Sequence, residues 1–205
     1  VSHQPDDASL FAYLISILRE TRDFDIALGL IESRLVKYPD DDRLVFNQGV
    51  VLNDLGKSEE AYKVMERVIE LNPGHADALN YVAYTLAENK EDLERAEALI
   101  TRAIQITPND GFYIDTLGWI YAHSGRLEEA AVLLEKAVKL SEGDLIVMEH
   151  YGDVLKELGR KEDAKGVYQD AIEAFQDQPE RLNTAEMMQS RERIIGKIRE
   201  LEFIK

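Results

Sequence analysis

The 205-residue sequence predicts an all-α solenoid built from stacked pairs of helices. Three observations predict it: rows of small residues and prolines that share one period, two stretches of helical apolar spacing within each period, and a C-terminal amphipathic segment without the repeat landmarks. The first row runs Ala27, Ala61, Ala96, Ala130 and Ala164, at gaps of 34, 35, 34 and 34. The second runs Gly49, Ala83, Gly118 and Gly152, at gaps of 34, 35 and 34. The third is Pro39, Pro73 and Pro108, at gaps of 34 and 35. Self-similarity at a fixed period of this size marks an architecture whose units bury their apolar faces against their neighbours.

Taken in order, residues 1–7 read as a disordered start or a fragment boundary, and five units follow at 8–41, 42–75, 76–110, 111–144 and 145–178. The first unit departs most, with bulky Ile15 in the row of small residues and Arg34 where later units carry Val68, Ala103 and Ala137. From the second row to the first the distance is 12 residues in three units and 13 between Ala83 and Ala96, so the extra residue belongs to the Asn89–Asp92 turn. The fourth unit shows the pattern most cleanly. Ile114, Leu117, Gly118 and Tyr121 fall at i, i+3, i+4 and i+7, one helical face, and Leu127, Ala130, Leu134 and Ala137 repeat the spacing on a second helix. Gly125 between them suits a helix end, as do Gly56 and Gly159 in the second and fifth units. The three prolines stop each second helix from continuing. Over 179–205, Met187, Ile194, Ile198 and Leu201 share one face, and from 180 onward five acids meet six bases, which predicts a capping helix. The first unit has no matching cap, so further repeats are expected before Val1.

Composition narrows function by exclusion. With 24 basic and 40 acidic residues the net charge is −16, which opposes nucleic acid and anionic lipid. No apolar run nears the roughly 20 residues that span a bilayer, so no membrane insertion is expected. Cysteine is absent, which removes disulfides, thiol nucleophiles and zinc knuckles. His150 and Asp153 lie one helical turn apart, but two ligands do not make a metal site. No phosphate cradle or nucleophile elbow occurs. The expectation is therefore no enzyme activity, no catalytic residue, no metal and no cofactor.

With its small residues, aromatics, Ala and Pro at fixed offsets, the chain resembles the tetratricopeptide repeat over nearly its whole length. That resemblance implies a right-handed superhelix whose concave face is lined by the first helix of each unit. It also implies a role as a non-catalytic scaffold or adaptor that binds a peptide segment of a partner. The groove positions carried over by the resemblance include Phe46, Val50, Asn53, Asn80, Tyr81, Tyr84, Phe112, Asp115, Trp119, His123, Glu149 and Asp153. Six of sixteen aromatics fall on groove positions, and Tyr84 and Trp119 share one offset in neighbouring units. Such rings give contact area at small entropic cost, and amides such as Asn53 and Asn80 bond a ligand backbone in both directions. Asp115 and Asp153 are expected to steer basic groups. The Lys and Arg clamp of chaperone-binding members is missing, since its offsets carry Ala12, Ser16, Asn47, Asp77 and Tyr81. With eight acids and three bases at the groove positions, the expected ligand is a neutral, apolar or mildly basic segment.

The runs Ala78–Tyr84, Asp115–Tyr121 and Glu149–Val154 are similar to those of bacterial envelope repeat proteins. This likeness implies a bacterial multiprotein complex on the periplasmic side of the envelope, with a cytoplasmic location as the alternative. A rival reading is a self-associating structural module. It would oligomerise through its apolar ends, near Leu10, Phe11 and Leu14 and along the helix from Met187 to Phe203.

Overall fold

A computed structural model describes residues 5–177 and 185–203. Eleven α-helices, and no strand, run through the described residues: α1 (Pro5–Glu20), α2 (Phe24–Leu35), α3 (Asp42–Asp54), α4 (Ser58–Leu71), α5 (Ala76–Asn89), α6 (Leu93–Ile106), α7 (Gly111–His123), α8 (Leu127–Leu140), α9 (Leu145–Glu157), α10 (Lys161–Asp177) and α11 (Ala185–Phe203). The fold is the expected all-α repeat solenoid, two helices to each period. Residues 1–4 of the expected disordered start lie outside the described residues, and α1 already begins at Pro5, where a missing N–H costs a helix nothing. Residues 179–184 and 204–205 of the expected capping segment also lie outside them. No described helix is long and apolar enough to cross a membrane.

Helix ends follow local chemistry. Asp41, Asp110 and Asp144 cap α3, α7 and α9, each carboxylate accepting two backbone N–H bonds. The helices α4 and α8 start without a side-chain cap but carry acid pairs in the first turn, Glu59 with Glu60 and Glu128 with Glu129, against the positive end of the helix dipole. Gly125 closes α7 at φ +77°, a left-handed conformation that glycine adopts without strain. After α5 two non-glycine residues, Lys90 at φ +56° and Asp92 at φ +35°, do this work, and the extra residue of the third unit is taken up there.

The chain forms two compact units, residues 1–85 and 86–205. In the first unit, Ile15 is 1% exposed and packs with Ala27, Ile31 and Val51, so the first helix pair accepts a large side chain where later pairs use a small one. Arg34 lies with its guanidinium carbon 4.6 Å from the Phe11 ring centre. Gly49 of α3 faces α4, where an added Cβ would stand 2.8 Å from the Met65 methyl.

In the second unit an added Cβ at Gly118 would stand 2.8 Å from Leu134 Cγ. One at Gly152 would enter the ring of Tyr168, which is fully buried. The five alanines of the first row, Ala27 to Ala164, are all fully buried, two in the first unit and three in the second. Helix α11 lays Ile194 into the core formed by Leu145, Met148, Leu155, Tyr168 and Ala171, with Met187, Ile198 and Leu201 beside it.

Candidate partner-binding surfaces

In the first unit the expected residues come from α3 and α5. Phe46 and Val50 are half-buried and Asn53 is exposed on α3, while Asn80, Tyr81 and Tyr84 are half-buried on α5. The two helices meet through these side chains. The Tyr81 hydroxyl donates to Asn53 Oδ1 at 3.0 Å, and Phe46 lies 4.4 Å from the His75 ring at 30°. Burial pushes the Tyr81 phenol up, so it remains a donor throughout the physiological range. Nearby, Arg19 and Asp54 neutralise one another across a 2.5 Å contact.

Asn80 differs from its neighbours. Its Oδ1 is buried and meets no donor among the described residues. A buried carbonyl left without a donor costs about 1–3 kcal/mol.

The second unit uses its polar residues differently. Asp115, expected to face a ligand, is 4% exposed, and His150 is 6% exposed. Both oxygens of Asp115 lie near His150 Nδ1, at 2.9 and 3.0 Å, and a carboxylate can only accept, so Nδ1 donates. Burial alone would lower the His150 pKa. The charge and hydrogen bond of Asp115, with Glu88 and Asp153 adding, outweigh burial and leave it raised. The Trp119 ring stacks on His150 at 4.2 Å and 17°, touches His123 edge-on at 4.6 Å, and donates its N–H to Glu88. Burial, with Lys90 adding, holds His123 below the usual imidazole value.

Glu149 is likewise enclosed. It is 3% exposed and accepts from Ser190, from Arg193 at 2.8 and 2.9 Å, and from Lys197 at 2.7 Å, all on α11. Burial would raise its pKa, but these donors overcome it and bring the carboxyl down to about 2. Asp153 accepts from the Tyr168 hydroxyl at 2.6 Å and from Lys197 at 2.7 Å. Burial and the bond to Asp153 push the Tyr168 phenol up. The expectation that Asp115 and Asp153 steer a partner, and that Glu149 lines a groove, is corrected to this extent: their carboxylates already serve groups of the same chain. The two-ligand metal idea at His150 and Asp153 meets the same obstacle, since each is bonded elsewhere. Among the described residues no three His, Asp or Glu side chains are placed to hold a metal.

Phe112, 52% exposed, together with half-buried Trp119 and His123, remains at the surface of this unit. Sequence reasoning missed Ser190, Arg193 and Lys197. Their signal was available as a polar stripe at i, i+3 and i+7 on the last helix.

Amphipathic helices of fixed period, paired through small residues and carrying half-exposed aromatic and amide side chains, define a helical-repeat protein. The tetratricopeptide repeat matches residues 54–111 and again 121–185, together more than half of the chain, and the chain belongs to that family. It is similar to the TPR repeat-containing protein PA4667 of Pseudomonas aeruginosa, at 32% identity over 130 residues. That match covers 62% of this chain and 22% of the relative, so the chain spans less than a quarter of the relative's length. Among solved structures, it is similar to PilW, described as a widely conserved type IV pilus biogenesis factor, with a TM-score of 0.73 at 14% identity, covering 98% of this chain and 92% of that one. A thermophilic TPR protein of Thermus thermophilus, TTC0263, gives 0.70 at 20% identity, covering 93% and 98%. At these identities the likeness shows the fold.

Proposed function

We propose that this chain is a non-catalytic protein-binding adaptor that takes a peptide segment of its partner on the α3–α5 surface of the first unit. The observation that carries this reading is Asn80, whose buried Oδ1 has no donor among the described residues and would accept a backbone N–H of the peptide. Asn53 and Tyr81 offer further amide and hydroxyl contacts, while Phe46, Val50 and Tyr84 supply apolar area. A neutral, apolar or mildly basic segment suits the surface, because Arg19 is already paired with Asp54 and the chain carries −16 overall. Work within a bacterial complex on the periplasmic side of the envelope, with the cytoplasm as alternative, belongs to the same reading and is supported by the likeness of the runs Ala78–Tyr84, Asp115–Tyr121 and Glu149–Val154 to those of bacterial envelope repeat proteins. The test is capture of partners on the immobilised chain, with and without Asn80→Ala combined with Tyr84→Ala. A double variant of unchanged helicity that captures the same partners would remove this surface from the reading.

One observation favours self-association as a second reading. On α1, Leu10, Leu14 and Ile17 form a stripe at i, i+4 and i+7, and are 66%, 42% and 36% exposed. Light scattering at rising concentration tests it, and a strict monomer counts against it.

A further inference from the structure

We infer that the first helix pair is the seat of a two-fold contact with a second copy of this chain, in which α1 of each copy receives α2 of the other. This names the occupant for the self-association reading and rests on it. The open face of α1 is one that later pairs close. Leu44 and Val51 on α3, and Val147 and Val154 on α9, stand at the repeat places of Leu10 and Ile17, and all four are buried. In each case the cover comes from the second helix of the preceding pair. Val51 shares a core with Ala27 and Ile31 of α2, and Val154 with Ala130, Ala131 and Leu134 of α8. On α1 the same places hold leucine and isoleucine but lie open. The face is therefore shaped for an amphipathic helix of the second type, which would take its apolar stripe out of water.

Helix α2 of a second copy supplies such a helix. Its residues Ile26, Gly29, Leu30 and Ser33 fall at i, i+3, i+4 and i+7, all exposed, Ile26 at 57%. At Gly49 and Gly118 the missing side chain makes room for a neighbouring helix of the same chain. At Gly29 an added Cβ would meet nothing of this chain within 4 Å, so the room is open to another chain. Both stripes lie on the side of the pair turned from α3. On α1, Arg19 reaches Asp54 of α3, and Ile17 is two residues back, about 200° around the helix. On α2, Leu28 packs in the core that holds Val51 of α3, and it stands two residues from both Ile26 and Leu30. An isologous contact uses this patch twice, α1 on the partner's α2 and α2 on the partner's α1.

A preceding repeat pair would be a poorer occupant. The residue before each alanine of the first row is Ile26 in the first pair, but Glu60, Arg95, Glu129 and Asp163 in the later ones. Those four are exposed although another pair precedes each of them. A pair stacked on α1 would thus leave Ile26 in water, whereas a second copy seated across α2 covers it. No charge occurs on α1 from Ala8 to Leu18, so two chains of −16 meet there with little like-charge opposition.

Sedimentation equilibrium of the full chain tests this, with a monomer–dimer equilibrium expected. Ile26→Glu places at this solvent-facing position the charge that later pairs carry, and should weaken dimerisation at least about tenfold. Leu14→Lys should do the same from the α1 side. An equimolar mixture of these two variants should associate about tenfold more tightly than either alone, because the new cation of one copy meets the new carboxylate of the other. Gly29→Ala should weaken the dimer about threefold, while Gly166→Ala, the same change at an open place on α10, should leave it unaltered. Far-ultraviolet circular dichroism should match the parent for every variant. A strict monomer at the highest attainable concentration overturns this inference and the self-association reading together. A dimer that neither charged variant weakens, or a mixture no tighter than its components, overturns the α1–α2 contact alone and leaves the self-association reading standing.

Discussion

In the first unit Gly49 faces the flexible tip of Met65, whereas in the second Gly152 faces the flat, fully buried ring of Tyr168. The same contrast runs through the polar groups. Asn53 and Tyr81 bond each other near the surface of the first unit, and Asn80 keeps an unanswered oxygen. In the second, Asp115, Glu149 and Asp153 are tied to His150, to Tyr168 and to α11. Equivalent repeat positions thus serve two ends: open hydrogen-bonding capacity in one unit, internal fixation in the other.

The sharpest way to break this comparison is at the glycines. Gly152→Ala should cost about 3 kcal/mol, because a rigid buried ring must move. Gly49→Ala should change stability by under about 1 kcal/mol, since the Met65 methyl gives way and alanine favours the helix. Urea unfolding of both variants measures this, and equal losses would dissolve the distinction.

A second effect follows from Glu149. Its carboxyl is lowered to about 2 in the folded chain, so its contribution is present above the ordinary carboxylate value and lost as pH falls through about 2. Allowing for solvent around Arg193, that contribution is about 2 kcal/mol. Urea midpoints of the second unit should fall between pH 4.5 and 2, and Glu149→Gln should flatten that fall. An unaltered acid profile in the variant would show that other carboxylates set it.

His150 gives a smaller effect of opposite sign. Its pKa is raised, so its stabilisation is complete below the unfolded imidazole value and is lost as pH rises through the folded one. Trp119, the one tryptophan, stacks on this ring and reports the step directly. A stacked imidazolium quenches indole emission, so fluorescence should rise with pH over that range, and His150→Gln should abolish the rise.

The smallest effect is expected back in the first unit. Asn80→Ala should leave stability within about 0.5 kcal/mol of the parent, because relief of the unanswered buried carbonyl offsets the packing lost with the rest of the side chain. A loss above about 1.5 kcal/mol would mean that Asn80 is structural and would weaken its assignment to a partner.

Periodicity made the fold legible because helix pairing depends on side-chain size at fixed spacing, and Ala27 to Ala164 and Gly49 to Gly152 declare that size directly. The helix caps were readable for a similar reason, since Asp41, Asp110 and Asp144 act on amides two or three residues away. The polar positions were not legible in the same way. Asp115 and Asp153 occupy offsets that resemble Asn80 and Tyr84 in the repeat, and offset alone does not say what covers them. Glu149 meets Ser190, Arg193 and Lys197 from 41 to 48 residues downstream, on a helix outside the periodic pattern. Tyr168 was hidden likewise: its partner Gly152 is legible as small, but the ring filling the space is one among several aromatics of the same helix pair.

The turn between α5 and α6 has a consequence for how such a chain is assembled and rebuilt. It accepted one more residue than its counterparts while Lys90, Glu91 and Asp92 stayed in solvent and no alanine of the core row was displaced. Length changes at such a tip are absorbed locally, since loop closure grows costly only slowly with length. A duplicated gene segment that begins and ends at tips of this kind delivers a whole new module in register. For the experimenter, the same place between Lys90 and Asp92 is where an epitope or a fluorophore can be grafted without touching a packed side chain.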